Sequence, residues 1–313
     1  MNDRPGHQEH MLTGMIAAAG AMFLFAIMNG LAKHLSETHS VIEIAFWRNL
    51  FASLPFLGVV FVAGRRDLLK VHSAPRLLVI RAVMGSVTLT VTFAAFSVMP
   101  MAETSVLLFT ASLFLPILGV IFLKEGVGPW RWSAVVIGFL GVGVMANPAG
   151  SVNTLGVSLA LGAALLQATM GILLRRLGSY ERPETIALYF FVIGTCMTGL
   201  AMPYVGTGPT LAELPFFVAL GFVGAGAQWS LSLAYKHAPT AIVAVFNYTS
   251  LIWATLIGWL FWEEWPLPVV FVGSAIVIAA NMLIIWRENR RSNPRRPRSA
   301  SGSSPRSNAE NQE

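Results

Sequence analysis

The sequence predicts an all-α integral membrane protein with ten transmembrane helices, arranged as two inverted repeats of five helices. Three observations lead to this expectation. The chain of 313 residues is 55% hydrophobic and only 12% charged, whereas soluble globular proteins are roughly 25% charged. Ten apolar stretches of near-spanning length fill residues 12–286. The last five stretches resemble the first five, and an odd number of spans in each copy would turn the second copy upside down in the membrane.

The apolar stretches define the expected spans, because about twenty helical residues cross the hydrocarbon core. We expect them at residues 12–32, 42–63, 77–97, 103–123, 132–147, 155–174, 185–204, 213–234, 240–261 and 267–286. The first repeat then covers residues 12–147, a short external linker covers 148–154, and the second repeat covers 155–286. Residues 1–11 are polar, and the Arg-, Ser- and Pro-rich residues 287–313 are expected to form a disordered basic tail.

The positive charges predict the orientation. Eighteen of the 21 Lys and Arg residues fall on the side of the N-terminus, while Lys33 is opposite and Arg48 and Arg81 lie within spans. Positively charged loops face the cytoplasm. We therefore expect both termini in the cytoplasm of a cell with a bacterial-type inner membrane. The tail arginines favour contact with membrane lipid, and no nucleic-acid partner is expected.

The internal repeat can be tested residue by residue. Residues 95–137 match the residues 139 positions later at ten of 43 places, where chance would give about three or four. The matches include Pro100 with Pro239, Thr110 with Thr249 and Glu125 with Glu264. Earlier in each half the offset becomes 142. Membrane helices also resemble one another by composition, but matched Pro, Thr and Glu in one register favour a true repeat.

Local motifs relate the chain to a known family. They are Met-Pro-Met-Ala-Glu-Thr at 99–104, Phe-Leu-Lys-Glu at 122–125, Arg131-Trp132, the Gly-rich stretch at 138–143, Ala238-Pro239-Thr-Ala241 and Phe-Trp-Glu-Glu at 261–264. With these motifs the chain resembles the drug/metabolite transporter superfamily, specifically proteins with two EamA-type domains. The family often has a small residue where Lys124 and Glu263 stand here. The resemblance implies a ten-helix carrier of small metabolites that works by alternating access, with the fifth helix of each repeat outside a central cavity.

Polar side chains deep within spans are candidate substrate ligands, because they are costly in lipid unless they face protein or water. Amides and hydroxyls could orient a polar metabolite, and aromatic rings could supply stacking surfaces. The candidates are Asn29, Arg48, Phe109, Thr110, Gln167, Gln228, Trp229, Asn247, Tyr248 and Thr249. The alternative is that these groups hold helices together without touching a substrate.

Two arginines and three further residues have alternative interpretations. Arg48 could attract an anionic or zwitterionic substrate or extend its guanidinium to the membrane interface, and for Arg81 we expect the interface. Pro116 is expected to kink its span and could act as a hinge. Glu125 and Glu264 end equivalent helices on opposite faces, where each could act as a gate or as an ordinary helix-end carboxylate.

The sequence predicts a transporter rather than an enzyme. Enzyme and ATP-binding motifs are missing, Cys196 is the single cysteine, and the six histidines are scattered near predicted loops. We expect a secondary transporter of an amino acid, a vitamin or a related compound, with no cofactor and no metal. A membrane-embedded enzyme and a non-transporting membrane subunit are the alternatives. A homodimer is possible, and the direction of transport is left open. The coupling ion is also left open, since no carboxylate lies near the middle of a span.

Overall fold

The computed structural model describes residues 5–71, 74–123, 128–145, 153–177 and 182–292. These residues form helices and loops, with no β-strand among them. The helices are α1 (Pro5–Leu35), α2 (Val41–Phe61), α3 (Pro75–Val98), α4 (Met101–Leu108), α5 (Ala111–Leu123), α6 (Pro129–Met145), α7 (Thr154–Leu177), α8 (Pro183–Gly199), α9 (Met202–Val205), α10 (Leu214–His237), α11 (Thr240–Asn247), α12 (Thr249–Trp262) and α13 (Pro268–Ser292). A short 3-10 helix, Arg66–Leu69, follows α2.

The helices confirm an all-helical membrane protein. Seven helical segments in the described part of the chain are long and apolar enough to cross a bilayer. Three shorter apolar helices accompany them, at Trp132–Met145, Glu184–Gly199 and Pro268–Ile284. Proline at the first turn of α3 and α8 fits these starts, because the first N–H groups of a helix have no partner within it.

The predicted span 103–123 is broken in a place that we did not expect. The helix is interrupted at Phe109 and Thr110, between α4 and α5, whereas Pro116 lies inside α5. The side chains of Ser112 and Asn281 bond the Phe109 carbonyl oxygen, and side chains inserted into the helical hydrogen-bond ladder break it. The break therefore lies before Pro116, and the kink at Pro116 itself stays a prediction.

Both chain ends of the described region are more helical than predicted. Helix α1 begins at Pro5, inside the segment 1–11 that we expected to be outside the helix. Helix α13 continues to Ser292, because no proline or glycine interrupts its first residues past the span. The rest of the predicted tail, 293–313, and most of the predicted linker, 148–152, lie outside the described residues.

Helices from the two predicted halves pack against each other throughout the bundle. Helix α1 packs against α10, α3 against α7, and α2 against both α8 and α10. Helices α6 and α13 pair closely at two glycines, since a Cβ atom on Gly273 would lie 2.7 Å from the Gly141 carbonyl oxygen. Small residues let helix backbones approach in this way.

Polar contacts mark the two ends of the bundle. At one end, which we call the Lys33 end, Lys33 contacts Met99 and Glu264. At the other, the Asp67 end, Arg182 Nη1 donates to Asp67 Oδ2 at 2.5 Å and the Tyr189 hydroxyl donates to the Leu69 carbonyl oxygen at 3.0 Å.

Candidate functional site

The packing of equivalent helix pairs differs between the two halves of the chain. Met28 of α1 and Phe93 of α3 belong to one buried apolar cluster. The repeat register equates α1 and α3 with α7 and α10, but the described parts of α7 and α10 share no comparable packing. Gln167 of α7 is exposed although it lies on the same helical face as the buried Ala160 and Ala164. Gln167 is therefore an exposed polar side chain on a helix face whose neighbouring residues are buried.

Gln228 and Trp229 are neighbours in sequence but lie on different faces of α10. Gln228 is half-buried and lies one turn after Gly224, on the face that contacts Arg48. Trp229 is 64% exposed and shares its face with the exposed Phe222, away from the packed side. Successive helical side chains diverge by about 100°, so Gln228 lies on the packed side of α10 and Trp229 on an exposed side, and the assignment of Trp229 to the site stays a prediction.

Two helix breaks occupy equivalent positions in the two halves. Phe109 ends α4 with φ −64° and ψ −16°, and Tyr248 ends α11 with φ −69° and ψ −18°. The two rings are in contact, with centroids 5.0 Å apart. The hydroxyls of Thr110 and Thr249 each donate to the carbonyl oxygen three residues earlier, at 2.6 and 2.7 Å. These four predicted residues come together, but the threonine hydroxyls serve the backbone at the breaks.

Asn281 joins this junction, and sequence reasoning missed it. Its side chain is buried, its Nδ2 donates to the Phe109 carbonyl oxygen at 3.3 Å, and its Oδ1 lies 2.5 Å from Ser112 Oγ. It also interacts with the Tyr248 hydroxyl. An asparagine within the last apolar span was the available signal, but we expected that helix to lie outside the cavity.

Two asparagines carry buried acceptors without a hydrogen-bond partner. They are Asn29 Oδ1 on α1 and Asn247 Oδ1 next to the α11–α12 break. Asn29 lies on the same face of α1 as Met22, which is buried, and as Lys33, one turn further on. An unpaired buried amide oxygen is unfavourable by about 1–3 kcal/mol, so both atoms are suited to accept a hydrogen bond from a bound molecule.

Arg48 and Arg81 are both buried, at 2% and 8% exposure. Their guanidinium carbons lie 5.6 and 5.0 Å from the centroid of the same Phe190 ring. The expectation that Arg81 extends to the interface is wrong, because its Nη1 lies beside Gly85, one turn further into α3, where Phe190 offers a ring face.

An ion pair closes the Lys33 end. Lys33 Nζ donates to the Met99 carbonyl oxygen at 3.1 Å and pairs with the Glu264 carboxylate. Glu264 also accepts from the Met101 N–H at 3.1 Å, and the Lys33 ammonium lies 5.3 Å from the centre of the Trp262 ring. These contacts join α1 and the start of α4 to the turn after α12. Lys33 was not among the predicted site residues.

A second set of contacts joins two loops at the Lys33 end. The Glu43 carboxylate accepts from the N–H groups of Thr207 at 3.0 Å and Gly208 at 2.9 Å. The His39 ring places Nδ1 3.3 Å from Glu43 and Nε2 3.2 Å from Glu213. The segment between α1 and α2 is thereby fixed to the segment before α10.

Two carboxylates outside the spans have lowered pKa values. Hydrogen bonds from the Thr210 hydroxyl and N–H lower the pKa of Glu213 to about 2. At the Asp67 end, hydrogen bonds from Arg65 and Arg182 lower the pKa of Asp67. Both groups therefore stay ionised at neutral pH.

Glu125, the predicted counterpart of Glu264, lies outside the described residues. Cys196 is exposed on α8. No group of three or more His, Cys, Asp or Glu side chains within the described ranges could hold a metal ion.

The sequence matches the EamA-like transporter family over residues 12–147 and 154–286. The match confirms the resemblance that the motifs indicated. A crystal structure with 16% sequence identity shares the fold, with a TM-score of 0.61 over 90% of this chain and 99% of that one.

Several relatives are named transporters. A riboflavin transporter of Rhizobium johnstonii is 33% identical over 88% of this chain and 93% of its own length. A pseudopaline exporter of Pseudomonas aeruginosa is 28% identical over 86% and 94%. An S-adenosylmethionine uptake transporter of Rickettsia bellii is 24% identical over 83% and 89%.

Proposed function

Because this chain belongs to the EamA-like transporter family, we propose that it carries a small organic metabolite across a bacterial inner membrane by alternating access. The named relatives transport riboflavin, pseudopaline and S-adenosylmethionine. An amino acid, a vitamin or a related compound is the substrate class for this chain. Neither a membrane-embedded enzyme nor a non-transporting subunit is favoured by these relatives.

The observation that carries the proposal is the meeting of two broken helices at Phe109 and Tyr248. Broken helices in secondary transporters supply free backbone groups and side chains to a site near the middle of the membrane. Irregular backbone at that depth is tolerated only where it faces protein or a water-filled cavity. A substrate site beside the junction explains why both helices are broken there.

We propose ten spans in two inverted halves, residues 12–147 and 155–286, with both termini in the cytoplasm. The three shorter apolar helices complete the seven long segments to ten. Equivalent backbone angles at Pro100 (φ −56°, ψ 145°) and Pro239 (φ −56°, ψ 142°) support the repeat. In this topology the Lys33 end faces outward and the Asp67 end faces the cytoplasm.

In this scheme the substrate contacts come from both halves. Asn29 and Asn247 offer unpaired amide oxygens, Gln167 and Gln228 border the interior, and the Phe109 and Tyr248 rings form a wall.

Gating in this scheme uses the ends of equivalent helices. The Lys33–Glu264 pair closes the outer face, and the repeat register gives Glu125 the matching role at the inner face. The breaks at Phe109 and Tyr248, rather than Pro116, act as the hinges, because helical hydrogen bonds are already interrupted there.

Transport into liposomes tests this function. The purified protein is reconstituted, and uptake of labelled riboflavin, S-adenosylmethionine and amino acids is measured. We expect uptake of at least one compound, and Asn247→Ala and Gln228→Ala should reduce it while reconstitution stays normal. Phe222→Leu is the matched control on the exposed side of α10. Full uptake by both interior variants would assign these two residues to packing, and no uptake of any compound would contradict the transporter proposal.

A further inference from the structure

Two buried cations share one aromatic ring at the junction of α2, α3 and α8. The Arg48 guanidinium carbon lies 5.6 Å from the Phe190 centroid and 5.0 Å from the Phe191 centroid. The Arg81 guanidinium carbon lies 5.0 Å from Phe190. Aromatic faces hold a guanidinium in place without using its N–H donors, so the contacts with Phe190 and Phe191 occupy no donor of either arginine.

The unpaired polar atoms at this junction are all donors. They are Arg48 Nε, Asn49 Nδ2, and Arg81 Nε and Nη1. The Asn49 side-chain oxygen is already occupied, since it accepts from Arg48 Nη1 at 3.0 Å. Neither arginine takes part in the ion pairs among the described residues. Buried charge without a partner is strongly unfavourable, so the cluster lacks an acceptor that carries negative charge.

Glycines on three helices make room for these side chains. A Cβ atom on Gly85 would lie 2.9 Å from Arg81 Nη1, and one on Gly224 would lie 2.9 Å from Arg48 Nε. A Cβ atom on Gly194 would lie 2.7 Å from Asn49 Nδ2. Gln228 lies one turn after Gly224 on α10, so the cluster lies next to a residue of the candidate site.

We propose that Arg48, Arg81 and Asn49 form a subsite for an anionic group of the transported substrate, a carboxylate or a phosphate. This inference rests on the proposed transport function. Guanidinium groups match the oxygens of both anions geometrically. The unpaired acceptors of Asn29 and Asn247 lie on other helices, so they are suited to the N–H or O–H groups of the same molecule. The preferred substrate therefore carries an anionic end and a hydrogen-bond donor.

Matched pairs of compounds test the subsite. The purified full-length protein in lipid nanodiscs is titrated with riboflavin and riboflavin 5′-phosphate, and with S-adenosylmethionine and its decarboxylated form. The first pair differs by a phosphate and the second by a carboxylate, so the pairs distinguish the two anions. We expect the anionic member of at least one pair to bind about tenfold more tightly or better, as charge-assisted hydrogen bonds predict. Arg48→Gln and Arg81→Gln should each bring the affinity ratio close to one.

A control variant and a second measurement separate binding from folding. Arg76→Gln changes an exposed arginine on α3 and should keep the preference for the anion. The empty Arg48→Gln and Arg81→Gln proteins should melt at the same temperature as the wild type or higher, because each loses an unpaired buried charge. A lower melting temperature in both variants would indicate a structural role and would overturn the proposal.

The remaining outcomes decide between the anion subsite and the transport function. Equal affinities within both pairs, binding of none of the four compounds, or an unchanged preference in the Gln variants would overturn the anion subsite. Uptake of the compounds that lack the phosphate or carboxylate, with no preference for the partners that carry it, would do the same and leave the transport function standing. Preserved anion preference without uptake of any compound would instead support the subsite and contradict the transport function.

Discussion

The Lys33–Glu264 pair should hold the outer face closed, and its removal should shift the balance between conformers. The side chains are 9% and 23% exposed, between the fully exposed pairs that contribute up to about 1 kcal/mol and the buried pairs whose truncation costs about 3–5 kcal/mol. An intermediate value of about 2 kcal/mol corresponds to about 30-fold in the conformational equilibrium. Lys33→Met should therefore raise the population that is open at the Lys33 end by about this factor.

Thiol labelling measures this opening. Met101 is fully buried beside Glu264, so Met101→Cys in a Cys196→Ser background reports exposure of the Lys33 end to a membrane-impermeant maleimide. Lys33→Met and Glu264→Gln should each speed labelling by about 30-fold. The double variant should be no faster than the singles, because the two changes remove one interaction. Glu263→Gln, at the exposed neighbouring carboxylate, should have no effect.

Two results would contradict a closing role of the Lys33–Glu264 pair. If the labelling rate in Lys33→Met matches the wild type, or if the effects of the two single variants add fully, the pair does not close the outer face.

Three further predictions concern stability. Asn281→Ala removes the side-chain bonds at the α4–α5 break, so thermal unfolding should show a loss of about 1–3 kcal/mol; an unchanged melting temperature would contradict a role at the break. Gly194→Ala places a Cβ atom 2.7 Å from Asn49 Nδ2 and should destabilise the protein by about 1–3 kcal/mol. A Cβ atom on Gly162 meets nothing within 4 Å, so Gly162→Ala should stabilise the protein by about 0.5–1 kcal/mol. The reverse order of melting temperatures would refute the packing argument. Glu213 has a lowered folded-state pKa of about 2, so its charge stabilises the fold above about pH 4 and this contribution is lost as the pH falls to about 2; Glu213→Gln should melt earlier than the wild type at neutral pH, and a gap that persists below pH 2 would exclude this cause.

The sequence predicted the helices because membrane spans are determined locally, by apolar length. It could not predict the break at Phe109, because the groups that bond its carbonyl oxygen include Asn281, which is remote in sequence. The burial of Arg81 was missed for a similar reason, since Phe190 on another helix holds it.

The candidate site was predicted in part. Depth within a span identified Asn29 and Asn247, whose oxygens are indeed buried and unpaired. Lys33 was counted only as a charge that determines topology. Its partner Glu264 comes from the other half of the chain, and a contact at such sequence separation leaves no local pattern.

The two helix breaks have similar backbone angles but are stabilised by different contacts. Ser112 and the side chain of Asn281, which comes from another helix, support the first, whereas Thr249 and Ser250 at the second bond carbonyl oxygens of their own chain segment. A bond to another helix resists bending more than a bond within one segment does, so the halves should differ in stiffness. A transporter whose two halves differ in stiffness does not populate its two conformations equally. The substrate-free protein should therefore favour one of them.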